Sequence, residues 1–333
     1  MACEIITKDI PLTQRELDEA TASANNTRLD KVPPLLFEAF LRIAIKSMRK
    51  ATFKIKLPTV TLENEIVKSL HTVDAGKSDV DVFFYKRAAL IESGAKKMPL
   101  LYFIHGGGFI GGTHFSCDNF LKSLVDKYDV VCAAIDYHLA PEVRYPYALN
   151  ECVKGVLSLI ENEETGVYID ENSVFIAGDS AGGNLAAAAT LCLKKEHSFA
   201  PKGQVLFYPV TEMLNISTPS YNRSGSENSR MLKFIKICRK LYASKKTNYA
   251  EPYFSPLLSK KSDDPNPTPA LILQAERDGL LDDGVLYAKH IDELGGESRC
   301  IIYNGAFHAF LNGLGDSDIA QDALEEVVSF MGV

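Results

Sequence analysis

Short apolar runs alternate with longer amphipathic stretches through most of the chain. The runs are rich in β-branched and aromatic residues, which is typical of buried strands. They lie at residues 80–85, 100–104, 130–135, 174–177, 205–208, 271–275 and 300–303. The intervening stretches carry strong helix formers and lie at residues 119–127, 149–162, 184–195 and 283–294. Strands that alternate with helices predict an α/β fold, in which helices flank a mostly parallel sheet.

Two segments depart from this alternation. Residues 211–269 separate two predicted strands and contain a helical run at 231–245. An insertion after a core strand commonly forms a lid. Residues 35–50 have apolar positions at helical spacing and end in cations, which predicts an amphipathic helix. We therefore predict a core at 51–333 with a helical cap, built from the insertion at about 211–269 and an N-terminal segment at 1–50.

Composition and charge narrow the class of protein. The chain has 333 residues, and a hydrophobic content of 46% is enough for a sizeable core. Lysine and arginine number 36 against 43 acidic residues, a net charge of −7, which argues against a nucleic-acid partner. The seven cysteines are scattered and form no C-x-x-C pair, so we expect reduced thiols and no zinc ribbon.

Targeting signals are not evident in the sequence. Residues 1–12 include acidic positions and no apolar core of a secretory signal. No apolar stretch reaches the length of a membrane span. We therefore predict a cytoplasmic protein. The sequence leaves open whether the helix at 35–50 touches a membrane surface and whether the chain forms a homodimer.

A serine flanked by glycines follows the strand predicted at 174–177. Residues 178–183 read Gly-Asp-Ser-Ala-Gly-Gly, and a helix former-rich stretch comes next. In a strand–turn–helix context, a G-x-S-x-G turn holds its serine on a strained elbow at the carboxyl end of the strand. Gly178 and Gly182 leave room for so sharp a turn. Ser180 is therefore the candidate nucleophile.

A second glycine-rich segment follows the strand predicted at 100–104. It reads His-Gly-Gly-Gly at 105–108. Consecutive glycines let backbone N–H groups turn toward a ligand. Beside a nucleophilic serine, such groups predict an oxyanion hole, which stabilises the negative charge of a tetrahedral intermediate. The alternative, a phosphate-binding loop, lacks the Lys-Ser/Thr pair that the motif requires.

Five ordered motifs between residues 99 and 310 resemble the hormone-sensitive-lipase-like branch of the α/β-hydrolases, a family of carboxylesterases. Besides the two glycine-rich segments, they are Asp-Tyr-His-Leu-Ala-Pro-Glu at 136–142, Asp-Gly-Leu-Leu-Asp-Asp-Gly at 278–284 and Phe-His-Ala-Phe at 307–310. Asp179 matches the subgroup that carries GDSAG. Two positions depart from the family pattern: His138 replaces its usual arginine and Ala309 its usual glycine. Neither change removes a catalytic atom, so both bear on substrate fit.

A serine nucleophile needs a base to take its proton and a carboxylate to orient that base. In α/β-hydrolases the chain order is serine, acid, histidine. Three histidines follow Ser180. His197 lies at the charged end of a predicted helix and His290 lies inside another, whereas His308 follows a strand. We predict His308 as the base because a loop at a strand end can present it to Ser180.

Three aspartates compete for the role of the acid. Asp278 comes first after the strand at 271–275, and the family motif also aligns it. Asp282 is the alternative, although a residue there is well placed to cap the next helix. Asp283 follows it directly.

The resemblance also implies an oxyanion hole formed by the N–H groups of Gly107, Gly108 and Ala181. His105 and Asp136 would then have structural roles, since the position of the base is already filled. No metal cluster or nucleotide motif is apparent, and no cofactor is implied.

These motifs predict a serine hydrolase that cleaves short- to medium-acyl carboxylic esters of small molecules through an acyl-enzyme. An amide or peptide hydrolase, or a deacetylase, with the same triad is the alternative, because acyl transfer is common to both. A third reading is a non-catalytic small-molecule receptor. Receptors that resemble this family lack the catalytic histidine, so the presence of His308 argues against it.

Overall fold

The computed structural model describes residues 3–13, 45–47, 49–50, 56–92, 97–161, 169–222 and 226–333. Within these ranges nine strands form one sheet. The strands are β1 (Glu4–Lys8), β2 (Ile66–Asp74), β3 (Asp79–Arg87), β4 (Met98–Ile104), β5 (Val131–Asp136), β6 (Ile169–Asp179), β7 (Gly203–Phe207), β8 (Ala270–Ala275) and β9 (Ser298–Tyr303).

Eight α-helices lie entirely within the described ranges, and each is too short or too polar to span a lipid bilayer. They are α1 (Ala89–Glu92), α2 (Asp118–Lys127), α3 (Tyr147–Glu161), α4 (Ala181–His197), α5 (Pro219–Asn222), α6 (Ser226–Tyr242), α7 (Leu281–Glu293) and α8 (Asp318–Met331). Short 3₁₀ turns lie at His114–Cys117, Pro256–Leu258 and Phe310–Gly313.

The sheet is mostly parallel, which confirms the predicted α/β class. Its strand order is β1-β9-β8-β7-β6-β4-β5-β3-β2. Only the pairs β2–β3 and β3–β5 are antiparallel. Parallel neighbours need long crossover connections, and the helices between the strands provide them. Seven of the nine strands correspond to the predicted apolar runs.

The apolar runs are continuous because both faces of the sheet are covered. In β4, the side chains of Leu100, Tyr102 and Ile104 join a core cluster that includes residues of α3, α4 and α7. The alternate residues Leu101 and Phe103 join a second cluster with residues of α2 and α8. Because both faces of β4 pack against apolar clusters, its sequence shows no alternation of polar and apolar residues.

Topology brings the predicted site residues to one edge of the sheet. The glycine-rich segment at 105–114, here called the glycine loop, follows β4. Ser180 follows β6, Asp278 follows β8 and His308 follows β9. These four strands are parallel, so their carboxyl ends lie on the same side. Ligands of open α/β sheets bind at this edge.

The strand β1 was not predicted from the sequence. It pairs in parallel with β9, with Glu4 opposite Arg299 and Lys8 opposite Tyr303. The Lys8 ammonium also contacts Asp322 and Glu326 of α8, both at 2.6 Å. Part of the segment predicted at 1–50 as a cap thus belongs to the sheet. A five-residue edge strand has little periodicity, and its partner lies almost a full chain length away.

The amphipathic helix predicted at 35–50 lies mostly outside the described residues. Residues 45–47 and 49–50 are helical, and Ile45 is buried. The insertion at 211–269 adds α5 and α6 between β7 and β8 without contributing a strand to the sheet. Its helical run, predicted at 231–245, is α6.

Candidate active site

Ser180 occupies a sharp elbow between β6 and α4. Its backbone angles are φ 54° and ψ −116°, which L-residues rarely adopt. Backbone bonds hold it there: Ser180 N donates to Phe207 O at 2.9 Å, and Val210 N donates to Ser180 O at 3.1 Å. A β-carbon at Gly182 would overlap the carbonyl oxygen of Ile104. The elbow predicted from the glycine-flanked serine is therefore present.

The structure brings the three predicted triad residues into one hydrogen-bonded chain. His308 Nε2 lies 3.0 Å from Ser180 Oγ. On its other side, His308 Nδ1 lies 2.5 Å from Asp278 Oδ2. The second oxygen of Asp278 accepts a hydrogen bond from Leu280 N at 3.0 Å, so the carboxylate is held at both atoms.

Burial and charge act in opposite directions on His308. Burial alone would lower its pKa, but the charge of Asp278 and the hydrogen bond to it raise the pKa above the ordinary value of 6.5. The imidazole keeps 24% of its side-chain surface exposed, whereas the carboxylate of Asp278 has none. This arrangement suits a general base that takes up a proton and is stabilised as the imidazolium.

Two aromatic residues near His308 were not predicted from the sequence to lie at the site. The ring of Tyr208 meets the imidazole edge-on, with 4.8 Å between centroids. Phe310 packs edge-on against Tyr208 at 5.1 Å. Tyr208 ends the apolar run predicted at 205–208 but lies directly after β7 with φ 37°, so a residue predicted as part of a strand instead turns toward the site.

The backbone conformation at Ala309 explains why the family usually has glycine at this position. It has φ 68° and ψ 25°, the left-handed conformation that glycine adopts without strain. An alanine in this conformation costs about 1 kcal/mol. The position therefore favours the family's usual glycine, and the chain tolerates alanine directly after His308.

The glycine loop forms a tight turn at the end of β4. Gly107 has φ +112°, and a β-carbon there would overlap the carbonyl oxygen of Gly111. Ile110 N and Gly111 N both donate to Gly107 O, which closes the turn. No acceptor within the described ranges takes the N–H groups of Gly107, Gly108 or Ala181. These three donors are thus available to a ligand.

Asp179 links the elbow to the glycine loop, a role that the sequence did not reveal. Its Oδ1 accepts a hydrogen bond from Gly106 N at 2.7 Å. Burial raises the pKa of Asp179 to about 6, and the Gly106 N–H acts against that rise. The sequence did contain one signal for it: Asp179 is a carboxylate at the end of a buried strand, and a buried carboxylate must find a hydrogen-bond partner.

His105 and Asp136 anchor the two ends of the glycine loop, as their predicted structural roles require. His105 Nδ1 lies 2.7 Å from Gly106 O, and its ring stacks on Tyr137 at 4.3 Å. The carboxylate of Asp136 accepts a hydrogen bond from His114 N at 2.6 Å and lies 2.9 Å from His114 Nδ1. Both contacts hold the backbone of the loop.

The competing acids and bases have other partners. Asp282 Oδ2 accepts a hydrogen bond from Ser220 N at 2.7 Å. Asp283 Oδ1 accepts one from Thr211 N at 3.1 Å. His290 lies 2.9 Å from the hydroxyl of Ser259. His197 is the last residue of α4 and is exposed.

One group of side chains in the described ranges could hold a metal ion. Cys192, Glu196 and His197 have ligand atoms within 4.8 Å of one another. Thiolate, carboxylate and imidazole are all zinc ligands. The group lies at the opposite end of α4 from Ser180, about 20 Å along the helix at 1.5 Å per residue. It is therefore separate from the triad.

Comparison with known proteins identifies a family and several relatives that are similar to this chain. The family model for the alpha/beta hydrolase fold matches residues 101–312. Ethyl acetate hydrolase of Pseudomonas putida is 34% identical over 213 residues, which is 63% of this chain and 65% of that protein, slightly less than two thirds of its length.

Two solved esterase structures are similar over most of the chain. An esterase of Rhizomucor miehei has a TM-score of 0.81 and 25% identity, and the match covers 97% of this chain and 96% of that one. A hyperthermophilic esterase of Pyrobaculum calidifontis has a TM-score of 0.76 and 25% identity, over 90% and 97% of the two chains.

Proposed function

This chain belongs to the α/β-hydrolase fold family, and we propose that it is a serine carboxylesterase that cleaves short- to medium-acyl esters through an acyl-enzyme on Ser180. The observation that carries the proposal is the hydrogen-bonded chain from Ser180 through His308 to Asp278, beside three unused backbone donors. The resemblance of the motifs to esterases agrees with the names of the similar proteins. Ethyl acetate hydrolase in particular acts on a short acyl ester.

Acylation follows from the geometry. Ser180 Oγ attacks the ester carbonyl carbon while His308 Nε2 takes the hydroxyl proton. The carbonyl π electrons move onto oxygen, and the resulting oxyanion accepts hydrogen bonds from the N–H groups of Gly107, Gly108 and Ala181. Asp278 stabilises the imidazolium. When the tetrahedral intermediate collapses, the ester C–O bond breaks and the alcohol leaves with the proton from His308.

Deacylation repeats these steps with water. His308 takes a proton from the water, whose oxygen attacks the acyl carbon of the enzyme ester. The oxyanion forms at the same donors. The acid product leaves, and Ser180 Oγ recovers the proton from His308, which restores the free enzyme.

Helix α6 supports a restricted substrate size because it lies across both sides of the site. A β-carbon at Gly108 would be 2.6 Å from Cys238 Sγ and 3.0 Å from a ring carbon of Phe234. At the loop that follows β8 and carries Asp278, here called the acid loop, a β-carbon at Gly279 would be 3.2 Å from Met231 Cβ. We call α6 the roof helix. Its apolar face limits the length of a bound acyl or alcohol group.

The roof helix is attached firmly to the core at its C-terminal end. The ring of Tyr242 stacks on Phe109 of the glycine loop, with 4.0 Å between centroids. The guanidinium of Arg144 donates to the carbonyl oxygens of Leu241 and Ala243 at 2.8 and 2.7 Å. These carbonyl groups have no partner inside the helix, so Arg144 satisfies them. The insertion at about 211–269 is thus well suited to act as a cap.

The end of the N-terminal segment also reaches the glycine loop. Arg49 Nε donates to Ile110 O at 2.8 Å, and its Nη2 donates to Ala140 O at 2.8 Å. The same guanidinium forms a two-bond pair with Glu142, at 3.0 and 2.8 Å. This contact supports a cap that includes the N-terminal segment.

The test combines substrate profiling with active-site labelling. We expect hydrolysis of p-nitrophenyl acetate and butyrate, weaker hydrolysis of the laurate, and little of the matching p-nitroanilide. A fluorophosphonate should label Ser180 alone, as located by mass spectrometry, and Ser180→Ala should remain folded without turnover. Ser259→Ala is the matched control, since Ser259 forms another hydroxyl–imidazole contact, with His290.

Two results would contradict the proposal. An adduct at another serine of the folded protein would reject Ser180 as the nucleophile. Preference for the anilide over the ester would favour the amide-hydrolase alternative.

A further inference from the structure

Two adjacent carboxylates in the first turn of α7 bind the beginning of the insertion. Asp283 Oδ1 accepts hydrogen bonds from Thr211 N at 3.1 Å and Glu212 N at 3.2 Å. The hydroxyl of Thr211 donates back to Asp283 O at 2.8 Å. Asp283 is only 1% exposed. Two buried bonds and one partly buried bond thus join α7 to the chain just after β7.

The neighbouring carboxylate binds a point farther along the insertion. Asp282 Oδ2 accepts a hydrogen bond from Ser220 N at 2.7 Å, and Asp282 N donates to Ser220 Oγ at 3.3 Å. The Ser220 hydroxyl in turn donates to Gly279 O at 2.6 Å. Ser220 is therefore bonded to both ends of the turn at 279–282, which directly follows Asp278.

The bonded segment also touches the nucleophile. Val210 N, next to Thr211, donates to the carbonyl oxygen of Ser180 at 3.1 Å. At its other end, a ring carbon of Tyr221 would lie 3.4 Å from a β-carbon at Gly279. The chain from 210 to 221 consequently connects the nucleophile elbow with the loop that carries the acid.

We propose that Asp282 and Asp283 are positioning residues, which clamp residues 211–221 against the acid loop and so maintain the contact between Asp278 and His308. This inference rests on the proposed function, because the clamp acts through the triad. The Asp278–His308 contact is 2.5 Å long, and the attraction between charges falls with distance. Small displacements of catalytic groups can cost about 100-fold in rate.

Helix capping alone does not account for these partners. An acidic side chain anywhere in the first turn stabilises a helix through its dipole. That effect requires no particular acceptor geometry. Here each carboxylate instead binds backbone N–H groups at least 62 residues away in the sequence. Because these partners lie on the insertion, the two carboxylates hold the insertion beside the active site.

The charge of Asp283 is sensitive to its surroundings, but the clamp needs only an acceptor. Burial raises the pKa of Asp283 to about 7, against the lowering effect of the Thr211 and Glu212 N–H groups. The other titratable groups that face it are the carboxylate of Glu212 and the phenol of Tyr221. A carboxylate, a carboxylic acid and an amide all present an oxygen that can accept these two bonds.

The test compares Asp283→Ala with Asp283→Asn in the full chain. Asparagine keeps the acceptor oxygen, so we expect kcat/KM within about threefold of the wild type. Alanine removes it, and we expect kcat to fall about tenfold or more. Because Asp278 raises the pKa of His308, displacement of the acid should move the acid limb of the kcat/KM profile to lower pH in Asp283→Ala only.

The shift of the acid limb separates positioning from a loss of folded protein, which would lower activity without moving the limb. Folding is checked by circular dichroism and a cooperative melt. If Asp283→Ala does not fold, Ser220→Ala tests the other half of the clamp and should shift the limb in the same direction. A folded Asp283→Ala or Ser220→Ala with the wild-type rate and limb would overturn the inference. Equal losses in the alanine and asparagine variants would overturn it too.

Failure of the proposed function gives a different result. A wild type without esterase turnover or fluorophosphonate labelling would reject the function, whatever the variants do. Hydrogen exchange then judges the clamp without activity: the amides of Thr211, Glu212 and Leu280 should exchange faster in Asp283→Ala than in Asp283→Asn. Unchanged exchange would reject the clamp.

Discussion

The carboxylate of Asp179 accepts a hydrogen bond from the backbone N–H of Gly106, with 2.7 Å between Oδ1 and the nitrogen. Asp179 ends β6 and Gly106 follows β4, its neighbour in the sheet. The bond therefore connects the elbow that carries Ser180 to the loop that carries Gly107. In the proposed mechanism these two segments supply the donors of the oxyanion hole, so their relative position matters to the rate.

The pKa of Asp179 makes stability depend on pH. Burial raises it to about 6 from the ordinary 3.8, so the folded state keeps a proton that the unfolded chain releases. The free energy of unfolding should therefore fall as the pH rises from about 4 to about 6, by about 3 kcal/mol from this group. Asp179→Asn keeps the acceptor for Gly106 and cannot ionise. We expect a smaller fall and a more stable variant at neutral pH.

Denaturant unfolding at a series of pH values measures this effect. Glu171→Gln is the matched control, since Glu171 is an exposed carboxylate on the same strand. A pH dependence in Asp179→Asn identical to that of the wild type would contradict the prediction.

The choice of the acid is tested by Asp278→Asn against Asp282→Asn. An amide at 278 would no longer hold the productive imidazole tautomer, so kcat should fall by about 10⁴. Asparagine at 282 can still accept the bond from Ser220 N and should cost far less. Steady-state kinetics on one acetyl ester give both values. If the two costs were reversed, the acid would be Asp282.

The raised pKa of His308 predicts the pH profile of the enzyme. Asp278 stabilises the imidazolium, so the wild-type acid limb of kcat/KM should lie above the ordinary imidazole value of 6.5. The direction is opposite for Asp278→Asn, whose residual activity should persist to lower pH. A limb at the same pH in both proteins would show that another group controls it.

The roof helix predicts a change in acyl-chain preference. Phe234→Ala removes the ring beside Gly108, and Met231→Ala removes the side chain beside Gly279. Each should raise the ratio of kcat/KM for octanoate over acetate by about 10-fold, the scale of one or two methylene groups in an apolar pocket. Lys236→Ala, on an exposed position of the same helix, is the control. Unchanged acyl-chain preference in the folded variants would show that α6 does not limit the length of the acyl group.

Arg49 tests the contribution of the N-terminal segment. Arg49→Ala removes the donors to Ile110 O and Ala140 O and should loosen the glycine loop. We expect KM to rise and kcat to fall, each about 3- to 10-fold. Lys50→Ala changes an exposed neighbour and should have no such effect. Truncation of the first 30 residues is a less specific test, because it also removes β1 from the sheet.

Several expectations from the sequence remain predictions. They include the cytoplasmic location, a homodimer, and the extent of the cap within residues 1–50, of which 1–2, 14–44 and 48 lie outside the described ranges.

Local sequence alone determined the α/β class, the elbow and the glycine loop. Strand segments covered on both faces must be apolar, so β4 and residues 174–177 of β6 can be recognised in the sequence as continuous apolar runs. Where the backbone approaches itself closely, as at Gly107 beside Gly111 and at Gly178 beside Gly182, only glycine fits. Such requirements depend on residues a few positions away, and a sequence states them directly.

Tertiary structure alone decided which partner each carboxylate has. Asp278, Asp282 and Asp283 share one short segment and one kind of side chain. The first binds His308, the second Ser220 and the third Thr211. These partners lie 30, 62 and 72 residues away, so strand order and the path of the insertion bring them together. A carboxylate's function follows from the donors that the folded chain places around it, and those donors are set by long-range packing.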